Sequence, residues 1–382
     1  MAIFDLSSSH FWHSDDSHVL VNPQRPCDAD GIVDFVERTQ GKNGWCLVQT
    51  SGTEGLSKWV ALTKAGMLIS AATVNRHLEA TAQDRWLVAL PTHHVGGFSI
   101  SARAMLAGNE VTPLPGKWEA SRFAATCRIQ GITLTSLVPA QVVDLVREKL
   151  VAPDCLRAIV VGGAGLSREM GAAASELGWP VLQSFGMTEA CSQIATEPLD
   201  HLHSGFDPDC LEVLPQWQLT TDAEEHLILR GPALAAGYVT RTPDDQWQWQ
   251  AIDDRQGLRT RDRVSLWDHG TRRFLRFLGR EAQVLKILGE LVNLAPLQAK
   301  LDALAQASAK AVIVPVPDER RGTALVLASA GDDGAALMTA FNAGVQPFER
   351  LQRLVNVDRI PVTDLGKVKL GELIDRVMSE TS

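Results

Sequence analysis

The sequence has no C-x-x-C pair: its six cysteines, at positions 27, 46, 127, 155, 191 and 210, are scattered. The first twenty residues also lack the basic start and apolar stretch of a secretion signal, so free thiols in a reducing cytoplasm are expected. No apolar run approaches bilayer length, which excludes membrane insertion while leaving loose peripheral contact open. No basic arm is present either. With 36 basic against 45 acidic residues and a formal charge of -9, nucleic acid is an improbable partner. Internal repeats and low-complexity tracts are missing as well. What remains is an ordinary globular composition, 45% hydrophobic and 21% charged over 382 residues, and that length exceeds what one hydrophobic core usually supports. Two domains are expected.

From Trp45 to about Phe185 short β-rich runs alternate with helical periodicity: Trp86 to Leu90, Glu110 to Leu114, Ile132 to Val138, Leu156 to Val161 and Val181 to Phe185. The stretches between them, such as Pro139 to Leu150 and Ser167 to Leu177, have the length and apolar spacing of covering helices. This rhythm predicts an α/β fold with a largely parallel sheet. Residues 209 to 278, rich in Trp, Gln, Asp and Thr, read as a smaller β-region appended to that domain. After Gly279 the pattern restarts as a compact α+β unit, with strands near Ala311 to Val316 and Ala324 to Ala328. The expected domains are therefore 1–279 and 280–382, and Gly331 to Gly334 reads as an exposed turn.

Three clusters carry candidate chemistry. Residues 49 to 58, Gln-Thr-Ser-Gly-Thr-Glu-Gly-Leu-Ser-Lys, suit a phosphate cradle: Gly52 and Gly55 admit backbone N–H groups to an anion, the hydroxyls of Thr50, Ser51 and Thr53 add donors, and Lys58 brings a mobile cation. A glycine turn between a strand and a helix is the other reading. The Walker A pattern fails, because Lys58 lies between Ser57 and Trp59. Val160 to Ser167 form a second glycine cluster between a predicted strand and a helix, where Gly-x-Gly-x-x-Gly fails at Arg168 and a Rossmann site is disfavoured. Gly163, Ala164 and Gly165 could offer a nucleobase a flat backbone surface, or merely pack a helix tightly on a sheet. The third cluster, Gln183 to Glu189, joins an aromatic, a hydroxyl and a carboxylate where a strand should end. Phe185 can pack beside a base, Thr188 can bond phosphate, and Glu189 can hold Mg²⁺ or complement a helix dipole.

These loops, in this order, resemble the adenylate-forming acyl-CoA synthetase superfamily, and the resemblance runs from Gln49 to Leu370. It implies ATP, Mg²⁺ and coenzyme A as ligands. Ser184, Phe185, Gly186, Met187 and Thr188 then join the ATP site. Thr260-Arg261-Asp262 resembles the family's Thr-Gly-Asp segment, implying that Asp262 bonds the ribose hydroxyls. Phe277-Leu278-Gly279-Arg280 resembles the crossover into a mobile C-terminal domain, which implies a second ribose contact from Arg280 and a rotation between half-reactions. Ile360 to Val368 resembles the loop whose lysine, here Lys367, bridges the acyl carboxylate and the α-phosphate.

Leu90 to Gly97 resembles the segment near the family's acyl pocket, with His94 as the family histidine and His93 where an aromatic is usual. An acyltransferase His-His-x-x-x-Asp-Gly motif is excluded, since Phe98 and Ser99 hold the Asp and Gly positions. The implied acyl-binding residues are His94, Gly97, Ser136 and Gly186. Thr135 to Gln141 looks closest to short-form o-succinylbenzoyl-CoA synthetases, and only 48 residues precede the nucleotide loop, as in the short members of that group. This implies an aromatic carboxylic acid, o-succinylbenzoate, as substrate, on the route to menaquinone or phylloquinone. Plain packing of Leu137 and Val138 and a helix start at Pro139 is the other reading of the segment. Departures occur at Glu54, Ser57, Arg261 and Ala282, of which Glu54 is repulsive toward a triphosphate unless it points outward or helps hold the metal. A ligase for another aryl or short acyl acid, or a catalytically silent binder, stays open, as does a homodimer.

Overall fold

The computed structural model describes residues 8–23, 29–51, 57–242, 244–280, 284–287, 290–305, 310–318, 321–363 and 366–380. The chain divides into two compact units: Met1–Thr260 with Ser265–Arg276, and Arg261–Val264 with Phe277–Ser382. The division falls after Arg276 rather than at Gly279, and a four-residue strip around Asp262 groups with the smaller unit. No helix among the described residues is long and apolar enough to cross a membrane.

In the larger unit the strands Arg85–Val88, Glu110–Pro113, Leu134–Leu137, Ala158–Val161 and Val181–Met187 pair in parallel. The βαβ rhythm thus yields the expected parallel sheet. Its helices start where local chemistry dictates: Pro139 opens Pro139–Arg147, and Ser167 caps Arg168–Glu176 by accepting the Met170 N–H at 3.2 Å. From Val181–Met187 onward pairing turns antiparallel, with Ser192–Thr196 as the next strand. Segment 209–278 is β, but it builds no sheet of its own. Leu211–Val213, Gln218–Thr221, His226–Arg230, Leu258–His269 and Arg272–Arg280 extend the large sheet, while Gly237–Arg241 and Trp247–Ala251 complete a second sheet of five strands.

That second sheet corrects one expectation. Trp45–Ser51 does not begin the parallel rhythm; it pairs antiparallel with Ser57–Thr63, from Trp45 opposite Thr63 to Ser51 opposite Ser57. Trp59, Val60, Ala61 and Leu62 are all buried, because this strand is covered on both faces and so shows no alternation in sequence. The glycine loop therefore joins two strands rather than a strand and a helix, and Lys58 sits on the second of them.

An ion pair between buried Asp84 and half-buried Arg157 anchors the parallel sheet. Asp84 accepts two bonds from Arg157, at 2.7 Å to each carboxylate oxygen, together with the Thr81 N–H and the Thr133 hydroxyl. Burial alone would raise its pKa, but these donors outweigh it and hold the carboxyl down at about 2. The depressed value contributes stability that is complete above about pH 4 and lost as pH falls toward 2. Asp84→Asn is expected to lose about 2 kcal/mol at neutral pH in urea unfolding, with the deficit shrinking between about pH 4 and 2; a deficit independent of pH would exclude the charge as its source.

The smaller unit centres on Lys310–Asp318 antiparallel to Gly322–Ala330, with Leu351–Asn356 parallel beside it. The expected strands lie inside the first two. Leu294–Leu304 and Gly334–Ala343 contribute Leu297, Leu301, Leu337 and Phe341 to one core, and Leu370–Ser379 contributes Leu373 and Val377 to another. Gly331 to Asp333 are exposed, as expected of a turn, whereas Gly334 is buried at the start of its helix.

Candidate active site

The hairpin carries Lys58 toward a carboxylate 131 residues away. Its ammonium lies 3.4 Å from Glu189 Oε1 and 4.0 Å from the centre of the Tyr238 ring. The Tyr238 hydroxyl donates to the same Oε1 at 3.1 Å. Burial, then the neighbouring Glu189 charge, pushes the Tyr238 phenol above its ordinary pKa, so it stays a proton donor. Two sequence elements make this meeting: Glu189 sits in the short 3-10 turn Thr188–Ala190, and its carbonyl accepts the Ala235 N–H at 2.8 Å. Tyr238 follows on the strand beside Lys58, paired with Val60. Thr50 is opposite Lys58 and donates its hydroxyl to the Lys58 carbonyl at 3.3 Å, so it braces the hairpin. Gly52, Thr53, Glu54 and Gly55 lie outside the described residues, as do the side chains of Ser51 and Ser57 and the whole of Ala282.

Gly163, Ala164 and Gly165 form an exposed turn, with Gly163 at a left-handed φ of +85°. The turn is tied down by Gln183, which the motif reading passed over. Its Oε1 accepts the Leu166 N–H at 2.8 Å, and its Nε2 donates to the Ala164 carbonyl at 3.2 Å. Ser184, expected to face nucleotide, is buried and donates to the Val161 carbonyl at 2.9 Å; it stitches strand to loop. Phe185, Met187 and Thr188 are half-buried and Gly186 is exposed. Gly186 is obligatory, since a Cβ there would lie 1.8 Å from the Ser192 carbonyl oxygen. That close approach coincides with positive φ at Cys191 (+51°) and Ser192 (+109°), backbone strain of the kind concentrated at functional sites.

Behind this turn lies the helix Val95–Ala107, which starts after His94. Gly97 lets the helix approach Pro91, whose carbonyl oxygen would stand 2.4 Å from an added Cβ. The His93 and His94 rings are half-buried with centroids 4.4 Å apart. Ser136 is buried at the end of its strand, and its hydroxyl has no partner among the described residues. Sequence reasoning also missed Arg103, 1% exposed. Its guanidinium lies 5.6 Å from the Trp86 ring centre and donates once, to Ser192 Oγ at 3.3 Å. Nε and Nη1 have no acceptor among the described residues. Burial, with no carboxylate opposing it, drags its pKa down to about 9. A wholly buried cation lacking an anion is costly to keep.

In the smaller unit Arg280 grips Asp262 in a fork, Nε to Oδ1 at 2.6 Å and Nη2 to Oδ2 at 3.1 Å. Asp262 is buried. Lys367 belongs to the same neighbourhood: crowding around its ammonium lowers its pKa first, the Arg280 charge lowers it further, and Asp262 acts the other way. The residue as a whole is exposed. Its loop is shaped by a bridge between Val362 and Val368, by the Thr363 N–H donating to the Lys367 carbonyl at 2.7 Å, and by Gly366 at φ +74°. The three residues expected from separate motifs are thus brought together.

The model of the AMP-binding enzyme family matches residues 16–239. A 2-succinylbenzoate–CoA ligase of Bacillus mycoides (strain KBAB4) is 29% identical over 346 residues, taking in 81% of this chain and 68% of the relative. The ligase of that name from Bacillus subtilis (strain 168) is 30% identical over 263 residues, 67% of this chain but 52% of the relative. The chain thus spans about half to two thirds of the length of these relatives. Among solved structures, the Bacillus subtilis o-succinylbenzoate CoA synthetase with its acyl-adenylate intermediate superposes with a TM-score of 0.72 at 24% identity, covering 86% of this chain and 68% of that one. The same protein with ATP and a magnesium ion gives 0.71 at 24%, covering 86% and 69%; at such identity the likeness speaks for the fold. As the family match covers more than half of the sequence, the chain belongs to the AMP-binding enzyme family.

Proposed function

We propose that the protein joins 2-succinylbenzoate to coenzyme A through an acyl-adenylate, in menaquinone formation. A carboxylate oxygen attacks the α-phosphorus of ATP and pyrophosphate leaves; the coenzyme A thiol then attacks the acyl carbon and AMP leaves. The reading rests on the names of the relatives and on the placement of charge. Lys58 and Glu189 meet beside the glycine hairpin, Asp262 and Arg280 form a fork suited to ribose hydroxyls, and Lys367 supplies an ammonium for the carboxylate and α-phosphate as they approach. Glu189 fits Mg²⁺: its Oε1 is held by Lys58 and Tyr238, and its Oε2 has no protein partner among the described residues, which suits an ion that takes few carboxylates and completes its shell with phosphate oxygens and water. Bound there, the ion would neutralise charge developing on the departing pyrophosphate.

Arg103 supports an acid with more than one carboxylate. A buried guanidinium with two donor atoms unserved calls for an anion beyond the carboxylate being activated. An aromatic acid with a second carboxylate supplies one. ATP–pyrophosphate exchange with a panel of carboxylic acids tests this: 2-succinylbenzoate is expected to drive exchange, with benzoate far weaker. Exchange with simple benzoates but not with 2-succinylbenzoate would replace the substrate and leave the chemistry standing. Silence across the panel would favour a binding protein.

A further inference from the structure

Tyr238 is the single tyrosine of the chain, and no motif reading picks it out. Its strand is fixed on both sides, by Gly237 to Val239 pairing with Trp59 to Ala61 and by Gly237 to Arg241 pairing with Trp247 to Ala251, and just before it the Ala235 N–H donates to the Glu189 carbonyl. The side chain is therefore set against both the lysine and the carboxylate before any ligand arrives. A tyrosine needed only for packing would bury its ring and send its hydroxyl to solvent or to backbone. Here the hydroxyl goes to Glu189 Oε1, the oxygen that also faces Lys58, and the ring face lies under the Lys58 ammonium at 4.0 Å. One phenol thus makes a hydrogen bond to the anion and a cation–π contact with the cation.

This arrangement answers a problem posed by the pair itself. A triphosphate competes with Glu189 Oε1 for the ammonium 3.4 Å away, so its arrival beside a metal ion on Oε2 would separate the two. If Glu189 were held by Lys58 alone, that separation would free the carboxylate to swing. We propose that Tyr238 is a positioning residue for the metal–nucleotide complex: its hydroxyl keeps the Glu189 carboxylate aimed, and its ring holds the Lys58 ammonium until a triphosphate draws it away. The inference rests on the ATP-dependent reading above and deepens it by assigning the residue that orders its two charged groups.

Having one tyrosine makes the test direct. Protein grown with 3-fluorotyrosine carries one fluorine reporter, at Tyr238. Its resonance is expected to shift when ATP and Mg²⁺ are added together, and less with either alone, because the ammonium leaves the ring face only when both arrive. An unmoved resonance under saturating MgATP would overturn the proposal. Tyr238→Phe keeps the ring and removes the hydroxyl. In pyrophosphate exchange it is expected to raise the Mg²⁺ concentration for half-maximal rate about tenfold, the size of one lost charge-assisted hydrogen bond, while kcat at saturating Mg²⁺ stays within about twofold. An unchanged Mg²⁺ requirement would overturn the role of the hydroxyl; rescue of the rate by Mg²⁺ is what a merely structural defect would not show. If the unmodified protein exchanges with no acid, the activity reading fails, while the fluorine resonance still decides whether Tyr238 responds to MgATP.

Discussion

Lys367→Ala is expected to slow 2-succinylbenzoate-dependent pyrophosphate exchange by about two to three orders of magnitude, the usual worth of one preorganised cation at a site of developing charge. Adenylation brings two anions together, a carboxylate and an α-phosphate, and their repulsion is felt most as the new bond forms. Lys367 is suited to meet it. Its loop is shaped by the Val362 and Val368 bridge and by the glycine turn at 366, and nearby Arg280 is itself committed to Asp262. The loss should be confined to the first half-reaction. Acyl-adenylate supplied ready-made, with coenzyme A added, is expected to give thioester at nearly the unmodified rate. Equal loss in both halves would mean that Lys367 serves the fold or the thiol step, and no loss in either would remove it from the chemistry.

Arg103→Met should separate binding from stability. Without the guanidinium, the second carboxylate of 2-succinylbenzoate enters a buried site with nothing to pair with, a loss of about 3 kcal/mol or about 10²-fold in KM. An acid with a single carboxylate should be used about equally well by both proteins. Stability is expected to move the other way. Replacing an uncompensated buried charge by an apolar side chain of similar length is neutral or stabilising by about 1–4 kcal/mol, so the variant should unfold at equal or higher urea concentration. The sign with pH follows from a base whose pKa is depressed to about 9 in the folded state: the penalty is complete below that value and eases as pH rises above it. The variant's advantage should therefore be greatest at neutral pH. A variant that loses stability while keeping its KM would show that Arg103 is a packing residue.

Much of the site is written in local motifs, because each glycine cluster and the Lys367 loop is a short turn whose chemistry lies in consecutive residues. Glu189 and Lys58 could be named separately for that reason, and so could Asp262 and Arg280. What local sequence does not carry is which atoms meet. The Lys58 to Glu189 contact spans 131 residues and the Tyr238 to Glu189 bond spans 49, so Tyr238 looks like any strand aromatic until the second sheet is assembled. Gln183 reads as one more polar residue of a motif, yet its side chain pins the Gly163 turn. Arg103 was hidden for the opposite reason. An arginine in a helix is ordinarily solvated, but Val95–Ala107 is buried from Gly97 through Ala104, which no simple periodicity announces. The hairpin at 45–63 was misread because a strand covered on both faces loses the alternation that marks a strand. Ser184 and Gly97 stand where the motifs put them and take part in packing that the motifs do not announce, one stitching a loop to its strand and the other permitting a close approach.

In the proposed reaction this chain uses ATP to activate an acid bearing two carboxylates. Pyrophosphate exchange at saturating MgATP tests it most directly, with 2-succinylbenzoate compared against its mono-methyl ester at the carboxylate that is not activated. Brisk exchange is expected with the free diacid and a loss of about 10²-fold in kcat/KM for the ester, a gap that closes in Arg103→Met. Equal exchange with diacid and ester, or none with either, would contradict it.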